Sequence, residues 1–496
     1  MTAVPPPTLP FHSRHATPWL ALALAVVTGG VGHALADAPL PTMRTTRPVV
    51  SIRLGTTLQV DAWRLAPEAK PDVYEAQLED GKPATVTFLS DVDSLSFRVE
   101  EGSRRDFVIV HGTERCLTRI VGARAVPAAV FDDAYQASNR GKISVEIPEA
   151  YELVNVVIAM TPTGIADSNL VYQASPYYRD VRRWFEPYRH HSVVAAINSM
   201  LQLNRNLYFS LKMNGYAFEL DRNGRLTQSR VYDRTGFGGE RQNALRPFLK
   251  RLQSFADSSR FRSFYESRRA LYESQIAFYR DSADVEGMRK WLNRNFPHSS
   301  GYDGYKIIFS PLVAYNQSAT WLESRGYQEL QAHVNFPYPG DAKRRGGLDL
   351  SEAAETVFRG HIVFTELNHG YINPEADRYG ERVAKAISRR DTWVDPARGS
   401  GYYGGIAAFN EYMNWALVSL RVVDLAPAAE QGTLLRQVDT MMTQRRGFPR
   451  FAELSHFLVD RYRNRKTGET VSDLYPEILA WFEARNTESG SPGTTR

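Results

Sequence analysis

The sequence predicts an α+β protein, with a small antiparallel β module followed by a larger, mainly helical domain. Three observations point there. The chain has 496 residues, more than one hydrophobic core usually organises, so two domains are the default. From about Val49 to Val126, short runs of β-branched and aromatic residues are separated by turn residues. From about Lys142 the apolar spacing becomes helical.

The bulk composition removes several classes. With 43% hydrophobic and 23% charged residues, neither a disordered chain nor a coiled coil fits. The formal charge of +5 is small for this length and its basic residues are scattered, whereas nucleic acid would want a concentrated basic face. No nucleic-acid partner is expected.

At the N-terminus, Arg14 precedes an apolar run from Trp19 to Val27, followed by Ala34-Leu35-Ala36 before Asp37. A positive flank, a short apolar stretch and an A-x-A site read as a signal peptide over 1–36, cleaved after Ala36. The expected location is periplasmic or secreted. The run is too short for a permanent membrane span, and no later segment is apolar for long enough. No Cys follows the run, so a lipid anchor is not indicated.

Residues 37–46 are Pro/Thr-rich and read as a linker. The β module is placed at 47–135, with strands in PATVTFL (83–89), SLSFRVE (94–100), DFVIVHG (106–112) and CLTRIVG (116–122). Cys116, the single cysteine, can form no intrachain disulfide and reads as a buried strand residue. The module carries no catalytic constellation, so a packing or binding role is expected of it.

The helical domain is placed at 136–486. Helices are expected in 150–160, 177–188, 193–204, 248–259 and 261–280, a small hairpin or turn in 215–226, and a strand in 305–315. A long helix over 351–376 should end near Pro374, and further helices are expected at 407–424, 451–465 and 474–486. The tail over 487–496 reads as disordered.

One segment carries chemistry: Thr365-Glu366-Leu367-Asn368-His369. In an HExxH zinc site, two imidazoles one helical turn apart share a metal, and the intervening Glu takes a proton from the metal-bound water. Here the Glu (Glu366) and the second His (His369) are in place, but Thr365 stands where the first His would be. Glu411, 42 residues beyond His369 on the next long helix, is placed to be a third ligand. A Glu and a His three apart are common by chance, and a lone His on an amphipathic helix is usually a satisfied core residue.

Several short stretches occur together in order: YELVNVVIAM, YYRDVRRWFEPYRHHSVV, IIFSPLVAY, VFTELNHGYINP, FNEYMNWAL, RGFPRFAEL and DLYPEILAWF. Through them the chain resembles a domain-of-unknown-function family of secreted bacterial proteins that carry an HExxH-like centre. The resemblance spans most of 140–485. It implies a gluzincin-type metallopeptidase fold, zinc as cofactor, a peptide or protein substrate, His369 and Glu411 as metal ligands, and Glu366 as general base.

The departure at Thr365 bears on all of this, because a hydroxyl is a poor zinc ligand beside imidazole. His361 lies eight residues before His369, about 12 Å along a helix, and cannot share its metal. His190, His191, His298, His333 and His456 remain long-range candidates for the missing ligand, with a cap or surface role the ordinary one for the first two. A carboxylate-rich set of Glu366, His369 and Glu411 would favour a harder divalent cation or weaker zinc binding. In the GSGYYGG loop, Tyr402 and Tyr403 could donate to an oxyanion or contact substrate, although packing on the helix is commoner.

Three readings stay open. One is an exported metallopeptidase-like hydrolase. Another is a non-catalytic binding protein for peptides or cell-envelope material on the same scaffold; across these readings the metal is zinc, another divalent cation or none. The third is a carbohydrate-binding or envelope-structural protein, suggested by 25 Tyr and 8 Trp, most of which core packing would absorb.

Overall fold

The computed structural model describes residues 39–55, 57–67, 70–236, 242–299, 301–340, 342–343, 347–399 and 404–486. The expected signal peptide, the C-terminal tail and the candidates Tyr402 and Tyr403 lie outside them. The α+β class holds: strands dominate up to Val126 and helices dominate beyond it. Two compact units divide between Val126 and Pro127, rather than at 135.

The described residues of the first unit form eight strands: β1 (Thr42–Thr45), β2 (Val49–Leu54), β3 (Thr57–Arg64), β4 (Asp72–Leu78), β5 (Ala84–Leu89), β6 (Ser94–Val99), β7 (Arg104–His111) and β8 (Glu114–Arg124). They form two four-stranded sheets, β3-β2-β5-β6 and β1-β7-β8-β4. The first is antiparallel throughout; in the second, an antiparallel β7–β8 pair is flanked by β1 and β4, each running parallel to its neighbour. β1 comes from the segment read as a linker, and its alternating exposed and buried residues put Met43 into the core.

The inward faces of both sheets share one core, where Phe88 of β5 meets Phe107 of β7 with ring centroids 4.8 Å apart. Cys116 is buried there, as its strand context suggests. Gly122 in β8 allows a close approach, since a Cβ at that position would lie 2.0 Å from the Glu100 carbonyl oxygen.

The second unit is built on a mixed sheet ordered β13-β14-β12-β9, from β9 (Ile143–Glu146), β12 (Gly304–Ser310), β13 (Ser318–Ser324) and β14 (Tyr327–Asn335). Between β9 and β12 in the chain comes the expected hairpin, β10 (Phe218–Leu220) and β11 (Leu226–Gln228). The strand foreseen in 305–315 is β12, buried at every position. β13 and β14 were not foreseen. They form a hairpin whose two turn residues, Arg325 and Gly326, both have positive φ, the geometry that matches strand twist.

The helices fall close to the expected positions, and two of them frame the candidate site. The Glu352–Arg378 helix packs against β14 and against the Gly405–Leu425 helix. Ser351 caps the first of these, its hydroxyl accepting from the Ala354 N–H, with Glu352 and Glu355 in the first turn. Pro374 does not end this helix but lies within it. The carbonyl that a residue at 374 would normally serve is that of Gly370, and it accepts a hydrogen bond from the Tyr302 hydroxyl at 2.9 Å. Among the described residues, no helix is long and apolar enough to cross a membrane.

Candidate functional site

Glu366 and His369 sit three residues apart on the Glu352–Arg378 helix, so both face the same side, toward the Gly405–Leu425 helix that carries Glu411. His369 Nε2 lies 3.9 Å from Glu411 Oε2. Thr365, Glu366, His369 and Glu411 line one cleft of about 380 Å³. The three side chains therefore share a cleft, with Glu411 and His369 the pair placed in close contact.

The rest of the lining comes from residues the sequence did not single out. Arg446 forms an ion pair with Glu411 Oε1, and the same oxygen accepts from Trp415 Nε1 at 2.9 Å. The Arg446 guanidinium lies over the Trp415 ring, 5.2 Å from its centroid. Asn414 Nδ2 donates to His369 Nε2 at 2.9 Å, and Asn373 Oδ1 is 3.4 Å from His369 Nδ1. Tyr315, Asn316 and Gln317 complete the wall. Lys212, on the Leu207–Asn214 helix, is buried nearby and donates to the carbonyl of Asn316 at 2.8 Å.

These neighbours set the protonation states. Burial, then the charge of Glu411, pushes the Glu366 carboxyl up to about 8, against opposing pulls from Lys212, Thr365 and Arg446. Glu366 is thus largely protonated at neutral pH. Its Oε2 is buried with no hydrogen-bond partner among the described residues. Burial also disfavours ionisation of Glu411, but Arg446, His369 and Trp415 outweigh it and hold that carboxyl below its usual value. His369 is shifted down by burial, despite the pull of Glu411, and so favours the neutral imidazole. Lys212 is brought down to about 7 by burial, with Glu366 acting in the other direction.

The donor set does not fit the zinc centre that the resemblance implies. A structural or catalytic zinc needs three or four protein donors with free lone pairs. Here the Thr365 hydroxyl donates to the Ile362 carbonyl at 2.7 Å, Asn414 engages the Nε2 of His369, and Arg446 stands against Glu411. A second cation beside Glu411 would meet a fixed guanidinium. No group of three or more His, Cys, Asp or Glu side chains poised to hold a metal occurs among the described residues.

None of the distant histidines lines the cleft. His191 caps the Ser192–Leu203 helix, accepting from Val193 N–H. His190 accepts from the neighbouring Arg189, and His456 pairs with Asp439 at 3.2 Å. His333 is buried on β14, its Nε2 3.2 Å from Gln331 Oε1. His298 is near enough to Asp473 to affect its charge.

For Lys212 a local signal existed, because it is the one charged residue of the LYFSLKMN helix. Arg446 opens the RGFPRFAEL stretch, but nothing local in it pointed to the cleft. Comparison with protein families, with characterised proteins and with solved structures finds no match to this chain.

Proposed function

We propose that this protein is an exported, non-catalytic binding protein on an HExxH-type scaffold, whose cleft receives peptides or amide-bearing cell-envelope material. The observation that carries the reading is the Arg446–Glu411 ion pair, which puts a built-in cation at the carboxylate a metal would use. The cleft then offers a neutral acid in Glu366, the amide side chains of Asn316, Gln317 and Asn414, and the indole of Trp415. Such groups can both donate to and accept from a peptide unit while displacing few counter-charges. The export part of the reading rests on the residues preceding Asp37.

The rival, a metallopeptidase-like hydrolase, is favoured by one specific observation: Glu366, His369 and Glu411 do share a cleft. Metal analysis of purified protein after exposure to zinc, manganese and cobalt separates the two. The binding reading expects well under one metal per chain and no peptidase activity. One tightly held metal per chain, with peptidase activity that Glu366→Gln removes, would overturn it.

A further inference from the structure

A second cavity, of about 670 Å³, lies on the other side of Trp415, the one residue that lines both. It opens between two hydrophobic clusters that fail to merge: Phe364, Trp415, Val418 and Val438 belong to the main core, while Val422 and Leu434 belong to a satellite. The wall is apolar over most of its extent, with His361, Gln437 and Arg445 as further polar residues.

In this wall sits Arg421, 4% exposed. Its Nε is buried without a hydrogen-bond partner, and it forms no hydrogen bond or ion pair through its side chain among the described residues. What it has is the face of Phe364, 4.7 Å from guanidinium carbon to ring centroid. The carboxylates that influence it are committed elsewhere. Asp424 Oδ2 accepts from both Trp291 Nε1 and Tyr462 Oη at 2.7 Å, and Asp284 caps the Val285–Asn295 helix. Burial pulls Arg421 down to about 10, which still leaves it charged at neutral pH.

The side chain is nine-tenths buried and its Nε is fully enclosed with no acceptor among the described residues, an environment that favours an anionic group beside the guanidinium. We propose that the Arg421 cavity binds a free monocarboxylic acid with a single apolar chain, its carboxylate on the Arg421 fork and its tail between the two clusters. A planar guanidinium matches a carboxylate in charge and in hydrogen-bond geometry, while Val422, Leu434 and Val438 supply the apolar bed for the chain. This site does not rest on the function proposed for the Glu366 cleft.

Calorimetric titration of the full mature protein with decanoate and with 1-decanol tests the assignment. Decanoate should bind one per chain and at least ~10-fold more tightly than decanol, as expected for a charge-assisted pair. Arg421→Met should remove that preference and leave decanol binding in place. Because the substitution replaces an unpaired buried charge by an apolar chain, it should fold. Should it not, Val357→Trp, at a partly exposed wall position, narrows the cavity and should weaken both ligands. Absence of decanoate binding, equal affinity for acid and alcohol, or affinity unchanged in both variants would overturn the proposal. So would a preference for phosphatidylglycerol vesicles with no binding of the free acid.

Discussion

Arg446 and Glu411, 35 residues apart in the chain and each about nine-tenths buried, form an ion pair that Trp415 completes by donating to the same carboxylate oxygen. The carboxylate keeps its charge inside the protein because that pair exists. Substituting one partner strands the other in a medium that solvates it poorly. Arg446→Met should destabilise the fold by roughly 3–5 kcal/mol, and Glu411→Gln added to it should recover much of the loss. Urea unfolding of the two single variants and the double variant measures this directly. Additive losses would show that the two groups are not coupled.

Glu366 makes stability depend on pH. Its carboxyl ionises near 8 when folded, against about 4.3 in an unfolded chain. Between those values the folded state holds a proton that the unfolded state has released, so stability falls as pH rises through the window. Below about pH 4 and above about pH 9 the contribution is flat. Glu366→Gln cannot lose that proton. It should therefore gain on the wild type progressively from pH 5 to pH 8, by on the order of 3 kcal/mol at the upper end. Urea midpoints across this range provide the check, and parallel profiles for the two proteins would refute the shift.

How much of this was legible in the sequence depends on whether the signal was local. Glu366, His369 and Glu411 could be brought together because each sits on a long helix, where a fixed period sets the facing side. Arg446 could not, since its position depends on the path of the chain after the Ala428–Thr440 helix. β14 was missed for a different reason. Its polar residues are buried along with its apolar ones, so the in–out alternation that marks a strand is gone. Some of those polar groups are paired: Gln331 donates to Glu329, which also accepts from Tyr232 at 2.6 Å and from Tyr135. Pro374 misled because the partner that relieves it, Tyr302, lies 68 residues before the carbonyl it serves.

That relief can be measured. With Pro374 in place, the Gly370 carbonyl depends on the Tyr302 hydroxyl. Tyr302→Phe should cost about 1 kcal/mol. In a Pro374→Ala background an N–H returns to the helix and can serve the same carbonyl, so the cost of Tyr302→Phe should shrink. A double-mutant cycle by urea denaturation reads the coupling. Equal costs in the two backgrounds would show that the hydroxyl acts elsewhere.

If Arg446 is the cation that excludes a metal, restoring the missing imidazole alone should not bring zinc back. Thr365 lies one turn before His369 on the wall of the cleft, so Thr365→His supplies the donor at the correct spacing. The guanidinium would still stand against Glu411, and placing zinc beside it would set like charges in a poorly solvated site. Thr365→His should therefore hold zinc weakly and below one equivalent, whereas Thr365→His with Arg446→Met should approach one per chain. The double variant also gives Glu411 a new cation in place of the one removed, so zinc should raise its melting temperature and leave that of the wild type unmoved. Stoichiometric zinc in Thr365→His alone would mean that the vacated histidine, and not the arginine, is what separates this cleft from a metal centre.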